Sequence, residues 1–242
     1  MPARLPDFLG LGTQKGGTTT LHQLLRAHPG VFLPAAKELH YFDLQPQQTP
    51  HWYKQHFSEA DPDQCCGEIT PFYLFHPAAP TRIQALLPDV KLVVLLRDPV
   101  ERALSQIFHA RKRGFEVLEP TEAIAAEAER LANADPVSLQ KHSYVARSRY
   151  LEQLDRYETL FRPAQLLVLQ SEALFEQPHR VWNDLQRFLG LQNISLPPLP
   201  KANAGEGENK TVDPALRSQL RSVLATTALG VRERYGFGWD WA

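Results

Sequence analysis

The chain has 242 residues, with 26 Lys plus Arg against 27 Asp plus Glu and a formal charge of -1. That length is one large domain or at most two small ones, able to bury a core without disulfides or metals. The charge balance argues against a nucleic-acid wrapper or a polybasic membrane binder, and the longest apolar run, Leu92 to Leu96, is far short of the ~20 residues of a membrane span.

The elements follow in order. Phe8 to Gly12 reads as a short strand, and Thr13 to Thr20 as a Gly/Thr-rich loop. Leu21, Leu24 and Leu25 then give a helical stripe that His28-Pro29-Gly30 ends. Val31 to Leu33 is a second short strand, and Trp52, Tyr53 and Phe57 mark a short helix. The adjacent Cys65 and Cys66 cannot easily form a relaxed disulfide, so both are expected reduced in a cytoplasmic protein. The amino terminus shows no basic region leading into an apolar stretch, so no signal peptide is expected.

Val90 to Leu96 is the clearest strand, apolar on both faces as a central parallel strand is. Asp98 can cap the helix that follows, with Pro99 at its first position and a stripe of Val100, Leu104, Ile107 and Phe108. Further helices are expected over 119–134, over Tyr150 to Leu160 and over Val181 to Leu189. Leu166 to Leu169 is a buried strand, 195–214 a loop, and a last helix starts after Asp213-Pro214. Alternating strands and helices predict an α/β fold, a three-layer sandwich with a central parallel sheet, in a single domain over residues 1–242.

Gly12-x4-Gly17-Thr18-Thr19 nearly spells the phosphate loop G-x-x-x-x-G-K-[ST], but Thr18 stands where lysine is required and Lys15 lies inside the loop instead. Successive amides from Lys15 to Thr19, with a helix amino terminus behind them, still make an anion site. Lys15 adds a charge, and Thr18, Thr19 and Thr20 add hydroxyls. A turn that merely caps a helix is the plainer reading. Arg97 is a second candidate, because it closes a central strand where open α/β sheets bind ligands and its fork suits a phosphate; its plainer reading is a surface pair with Glu101. The carboxylate of Asp98 suits either a helix cap or Mg²⁺, and the cap explains it without metal.

Lys15-Gly16-Gly17-Thr18-Thr19-Thr20-Leu21 resembles the 5′-phosphosulfate loop of sulfotransferases that use 3′-phosphoadenosine 5′-phosphosulfate (PAPS), in their heparan-sulfate and bacterial branch. Arg97 with Ser105 eight residues later resembles that family's 3′-phosphate signature. Lys37-Glu38-Leu39-His40-Tyr41-Phe42-Asp43 resembles its K-E-x-H-[FY]-F segment, where the Glu is the base. Were this stretch extended, Glu38 and His40 would share one face and Lys37 the other. Trp52-Tyr53, Phe57 and Gly67-Glu68-Ile69-Thr70-Pro71-Phe72-Tyr73-Leu74 resemble further family segments, with Ile69 where the polysaccharide enzymes carry Lys. Ser148-Arg149-Tyr150 agrees as well, and Gly205 to Asn209 occupies the place of a late nucleotide-binding loop. The resemblance runs from residue 7 to 240.

The resemblance implies a P-loop nucleotide-hydrolase-like fold and sulfuryl transfer from PAPS to an acceptor hydroxyl or amine, with PAP (3′,5′-adenosine bisphosphate) as product and no metal. Lys15, Glu38 and His40 are the implied catalytic residues. Lys15, Gly16, Gly17, Thr18, Thr19, Thr20, Arg97, Ser105, Gly205 and Asn209 are the implied nucleotide contacts. The expected partner is a small-molecule or carrier-tethered acceptor, met by a monomer with no nucleic acid and no membrane. Acceptor walls are expected from 42–60 and 114–148, where Trp52, Tyr53, Phe108 and Phe115, with Tyr73 nearby, line a pocket or simply fill the core. The alternatives are a small-molecule kinase using ATP and magnesium, or a PAP-binding module without chemistry.

Overall fold

Val, Leu and Ile concentrate in short runs that pair side by side, and the computed structural model, which describes residues 4–133, 135–199 and 212–241, shows the result. Strands β1 (Phe8–Gly12), β2 (Val31–Phe32), β3 (Cys65–Ile69), β4 (Lys91–Leu96) and β5 (Leu166–Gln170) form one sheet in the order β2-β3-β1-β4-β5. Every pairing is parallel. Between the strands run helices α1 (Thr18–Arg26), α2 (Pro50–Gln55), α3 (Phe72–Phe75), α4 (Ala79–Leu86), α5 (Pro99–Lys112), α6 (Pro120–Ala132), α7 (Pro136–Lys141) and α8 (Tyr150–Glu158). Helices α9 (Ala173–Glu176), α10 (Pro178–Leu189) and α11 (Pro214–Tyr235) follow β5. No helix among the described residues is long and apolar enough to cross a membrane.

The described residues divide into two compact units, Met1–Leu96 with Gln153–Ala202 and Arg97–Glu152 with Asn203–Ala242. The first holds the whole sheet. Leu92 to Leu96 are all completely buried, as a strand covered on both faces must be. Leu21, Leu24 and Leu25 of α1 and Val181, Trp182 and Leu185 of α10 join Val93, Leu95 and Ile69 in one core.

Strand β3 is absent from the sequence reading, and its composition explains why. Cys-Cys-Gly-Glu-Ile offers little apolar signal, yet from Cys66 to Ile69 it is buried. Gly67 is required by packing: a Cβ there would lie 2.2 Å from the Phe8 ring on β1. Both thiols are free, and burial pushes Cys65 up to about 12 and Cys66 to about 11, so neither is a ready nucleophile.

The second unit is helical. Asp98 caps α5 as expected, its Oδ1 accepting the amides of Val100 at 2.8 Å and Glu101 at 3.1 Å. Its Oδ2 accepts the indole N–H of Trp241 at 2.6 Å. Val100 and Leu104 of α5 pack with Leu216, Leu220 and Leu224 of α11. Arg102, wholly buried, donates Nε to Ser148 Oγ at 2.6 Å and Nη1 to Gln106 at 2.7 Å, and it also reaches the Tyr144 carbonyl. These bonds fasten the Ser148-Arg149-Tyr150 segment to α5.

Candidate active site

The loop between β1 and α1 is held at both ends. Thr13 donates its amide and hydroxyl to the Leu95 carbonyl, at 2.7 and 3.1 Å. Farther along, Ser171, just past β5, donates its hydroxyl to the Gly16 carbonyl at 2.9 Å. A Cβ on Gly16 would meet Thr13 Oγ1 at 2.4 Å, so only glycine lets the loop fold this tightly. Gly17 starts the helix with φ +85° in the left-handed region, and Lys15 has φ 69° without glycine's freedom.

Helix α1 receives no side-chain cap and has no acidic residue in its first turn. Its amino-terminal amides and the positive end of its dipole are therefore set for an anion. Lys15 lies in the loop, Thr19 is exposed, and the ammonium of Lys37 donates to Thr19 Oγ1 at 2.9 Å. Burial, together with the charges of Lys37 and Arg26, lowers the pKa of His22 on the same helix. The donor set suits a phosphosulfate group.

Residues 37–43 are not extended. Glu38 and His40 have φ 59° and 55°, so the chain turns twice and the strand alternation that an extended stretch would give does not apply. The two side chains nevertheless meet, His40 Nε2 lying 3.6 Å from Glu38 Oε2. On its other side His40 Nδ1 donates to the Asp43 carboxylate at 2.9 Å, and the Asp43 side chain is completely buried. Burial alone would lower the His40 pKa, but the hydrogen bonds of Asp43 and then Glu38 outweigh it and raise it from 6.5 to about 9. His40 is thus an imidazolium near neutral pH, clamped between two carboxylates.

Asp43 was quoted in the sequence motif but given no role, because its reach to His40 depends on the turn at 41–44. Lys37, placed on the opposite face by strand alternation, instead touches the anion loop. Tyr53 and Tyr73 are core residues at 0 % exposure, whereas Trp52 is half-buried and Phe115, 48 % exposed, lies under the Lys141 ammonium at 4.5 Å. Phe108 packs beside the α5–α11 core.

Arg97 directly follows β4, and its carbonyl accepts the Tyr150 hydroxyl at 2.8 Å. Glu101, the partner suggested by a plain surface reading of Arg97, pairs with Arg217. Ser105 is half-buried on α5. Gly205 and Asn209 lie outside the described residues. An open cavity of about 600 Å³ lined by Arg4, Asp7, Cys65 and Lys91 sits at the amino-terminal ends of β1, β3 and β4. None of these site residues lines it, and ligands of such sheets bind at the carboxyl ends.

The sulfotransferase domain family matches residues 5–197. The chain belongs to this family. A crystal structure of a sulfotransferase from Alicyclobacillus acidocaldarius superposes with a TM-score of 0.85 at 26 % identity, covering 98 % of this chain and 99 % of that one. Human heparan sulfate glucosamine 3-O-sulfotransferase 3B1 is 32 % identical over 191 residues, 79 % of this chain and 47 % of that protein. The membrane-associated sulfotransferase kil1 of Dictyostelium discoideum is 41 % identical over 105 residues, 42 % of this chain and 22 % of that protein. The chain thus spans about half or less of these curated relatives. Family and α/β fold are as the sequence motifs implied, and the match does not favour the kinase alternative.

Proposed function

We propose that the protein transfers a sulfuryl group from PAPS to an acceptor hydroxyl or amine, with Glu38 as the base. The Lys37–Thr19 contact of 2.9 Å carries this reading, because it ties the segment bearing Glu38 to the loop built for the phosphosulfate. PAPS supplies an activated sulfuryl group on the 5′-phosphate. Lys15, the amides of Gly16 and Gly17 and the hydroxyls of Thr18, Thr19 and Thr20 hold that end and neutralise charge gathering on the departing phosphate. Arg97 and Ser105 bind the 3′-phosphate, with Gly205 and Asn209 assigned to the nucleotide by resemblance alone.

Glu38 accepts the acceptor's proton as its oxygen or nitrogen attacks sulfur. His40 already carries a proton and so serves as the fixed cation that aims Glu38, while Asp43 aims His40. The family match crosses residues of both units, which supports reading them as one sulfotransferase domain. Ile69 is buried in the core where the polysaccharide enzymes carry Lys, which supports a small or carrier-tethered acceptor.

The test is transfer of labelled sulfate from PAPS across sugars, phenols, steroids and acyl-carrier substrates. Wild type is expected to label at least one class. Lys15→Ala should lose ~10²–10³-fold in kcat, the scale of a lost transition-state donor. Glu38→Gln should lose turnover and keep PAP binding; a variant with normal turnover would remove Glu38 from the chemistry.

A further inference from the structure

The carboxylate of Glu68 on β3 is enclosed in protein, the residue being 2 % exposed. Three donors converge on it. The hydroxyls of Tyr53 and Tyr73 both donate to Oε1 at 2.8 Å, and Thr70 donates to Oε2 at 2.7 Å. Tyr73 extends the network, since its oxygen accepts the amide of Tyr41 at 2.9 Å. The backbone next to His40 is therefore gripped at Tyr41, through Tyr73.

That grip falls on a conformation that would not persist unaided. Glu38 and His40, with φ 59° and 55°, flank Leu39 in the left-handed region. Such residues are strained and persist where surrounding structure over-determines them. Burial pushes the Glu68 pKa up and the hydroxyls of Thr70, Tyr73 and Tyr53 oppose that shift, consistent with a carboxylate held for the bonds it accepts.

We propose that Glu68 is a positioning residue for the sulfuryl-transfer base, fixing through Tyr73 and the Tyr41 amide the turn that aims Glu38 and His40. The proposal rests on the reading of Glu38 given above. It accounts for an acidic residue on a buried strand, where a purely structural position would favour an apolar side chain.

The two tyrosines supply the test. Tyr53→Phe and Tyr73→Phe each delete one phenol donor to the same oxygen, and Phe preserves the Tyr53 ring that stacks on Tyr41 at 4.3 Å. Only Tyr73→Phe also releases the Tyr41 amide. Similar losses of melting temperature are expected, with PAP affinity kept in both. The kcat of Tyr73→Phe should fall by ~10-fold or more, as misplaced catalytic groups do, and that of Tyr53→Phe much less. Glu68→Gln, which accepts at one end only, should behave like Tyr73→Phe. In a Glu38→Gln background Tyr73→Phe should cost no further kcat, because its effect passes through Glu38. Wild-type kcat in Tyr73→Phe, kcat losses that track melting temperature equally in both tyrosine variants, or full additivity with Glu38→Gln would each overturn the proposal. A wild-type protein that transfers no sulfate, or a Glu38→Gln variant at full rate, instead overturns the underlying reading and this inference with it. Should Glu68→Gln fail to fold, the tyrosine pair decides alone.

Discussion

His40 shows how much one side chain's surroundings decide. Its pKa of about 9 in the folded chain lies above the ordinary 6.5, so the clamp stabilises fully below about pH 6.5 and is lost as pH rises through about 9. Solvent reaches Glu38, whose side chain is 39 % exposed, so the contribution is discounted to on the order of 2 kcal/mol. The melting-temperature gap between wild type and His40→Gln should therefore be widest near pH 6 and close by pH ~9.5. A gap independent of pH would dissolve the clamp. Glu38 and His40 stand out in the sequence because they sit inside a short, specific motif. Asp43 and Glu68 do not, because each acts across a turn or a strand pairing that no residue spacing announces.

At the scale of elements, α5 is the plainest success of local reasoning. Asp98, Pro99 and an apolar stripe announced its start, and both oxygens of Asp98 are engaged in the structure. Asp98→Ala should lower stability by ~1–2 kcal/mol, the upper range for a lost cap, measurable by urea unfolding. No change would mean that Trp241 and the cap contribute nothing. Strand β4 was equally legible, since Leu92 to Leu96 have no polar residue to confuse the pattern. β3 was hidden for the opposite reason: its glycine makes room for Phe8 and its glutamate answers three hydroxyl donors, and neither fact is local. The turn within 37–43 was hidden for a related cause, since two left-handed residues leave no periodic trace.

For the whole molecule, the strand order β2-β3-β1-β4-β5 puts β1 in the middle and opens the glycine loop at its carboxyl end. Alternation of strands and helices was enough to anticipate the fold class; the strand order needed the structure. At 100 times its Kd, PAP should add ~2.7 kcal/mol to stability by mass action, while ATP with magnesium should add little. Lys15→Ala and Arg97→Ala should each shrink the PAP shift in thermal melts. A shift from ATP and magnesium with none from PAP would return the chain to the kinases. Lys15, Glu38 and His40 are the non-glycine residues of positive φ among those described, and each has a part in the proposed reaction. A lineage bred only to survive heat would drift toward glycine at such places. Lys15→Gly should accordingly melt no lower than wild type and yet be inert, durability and turnover parting company at a single torsion.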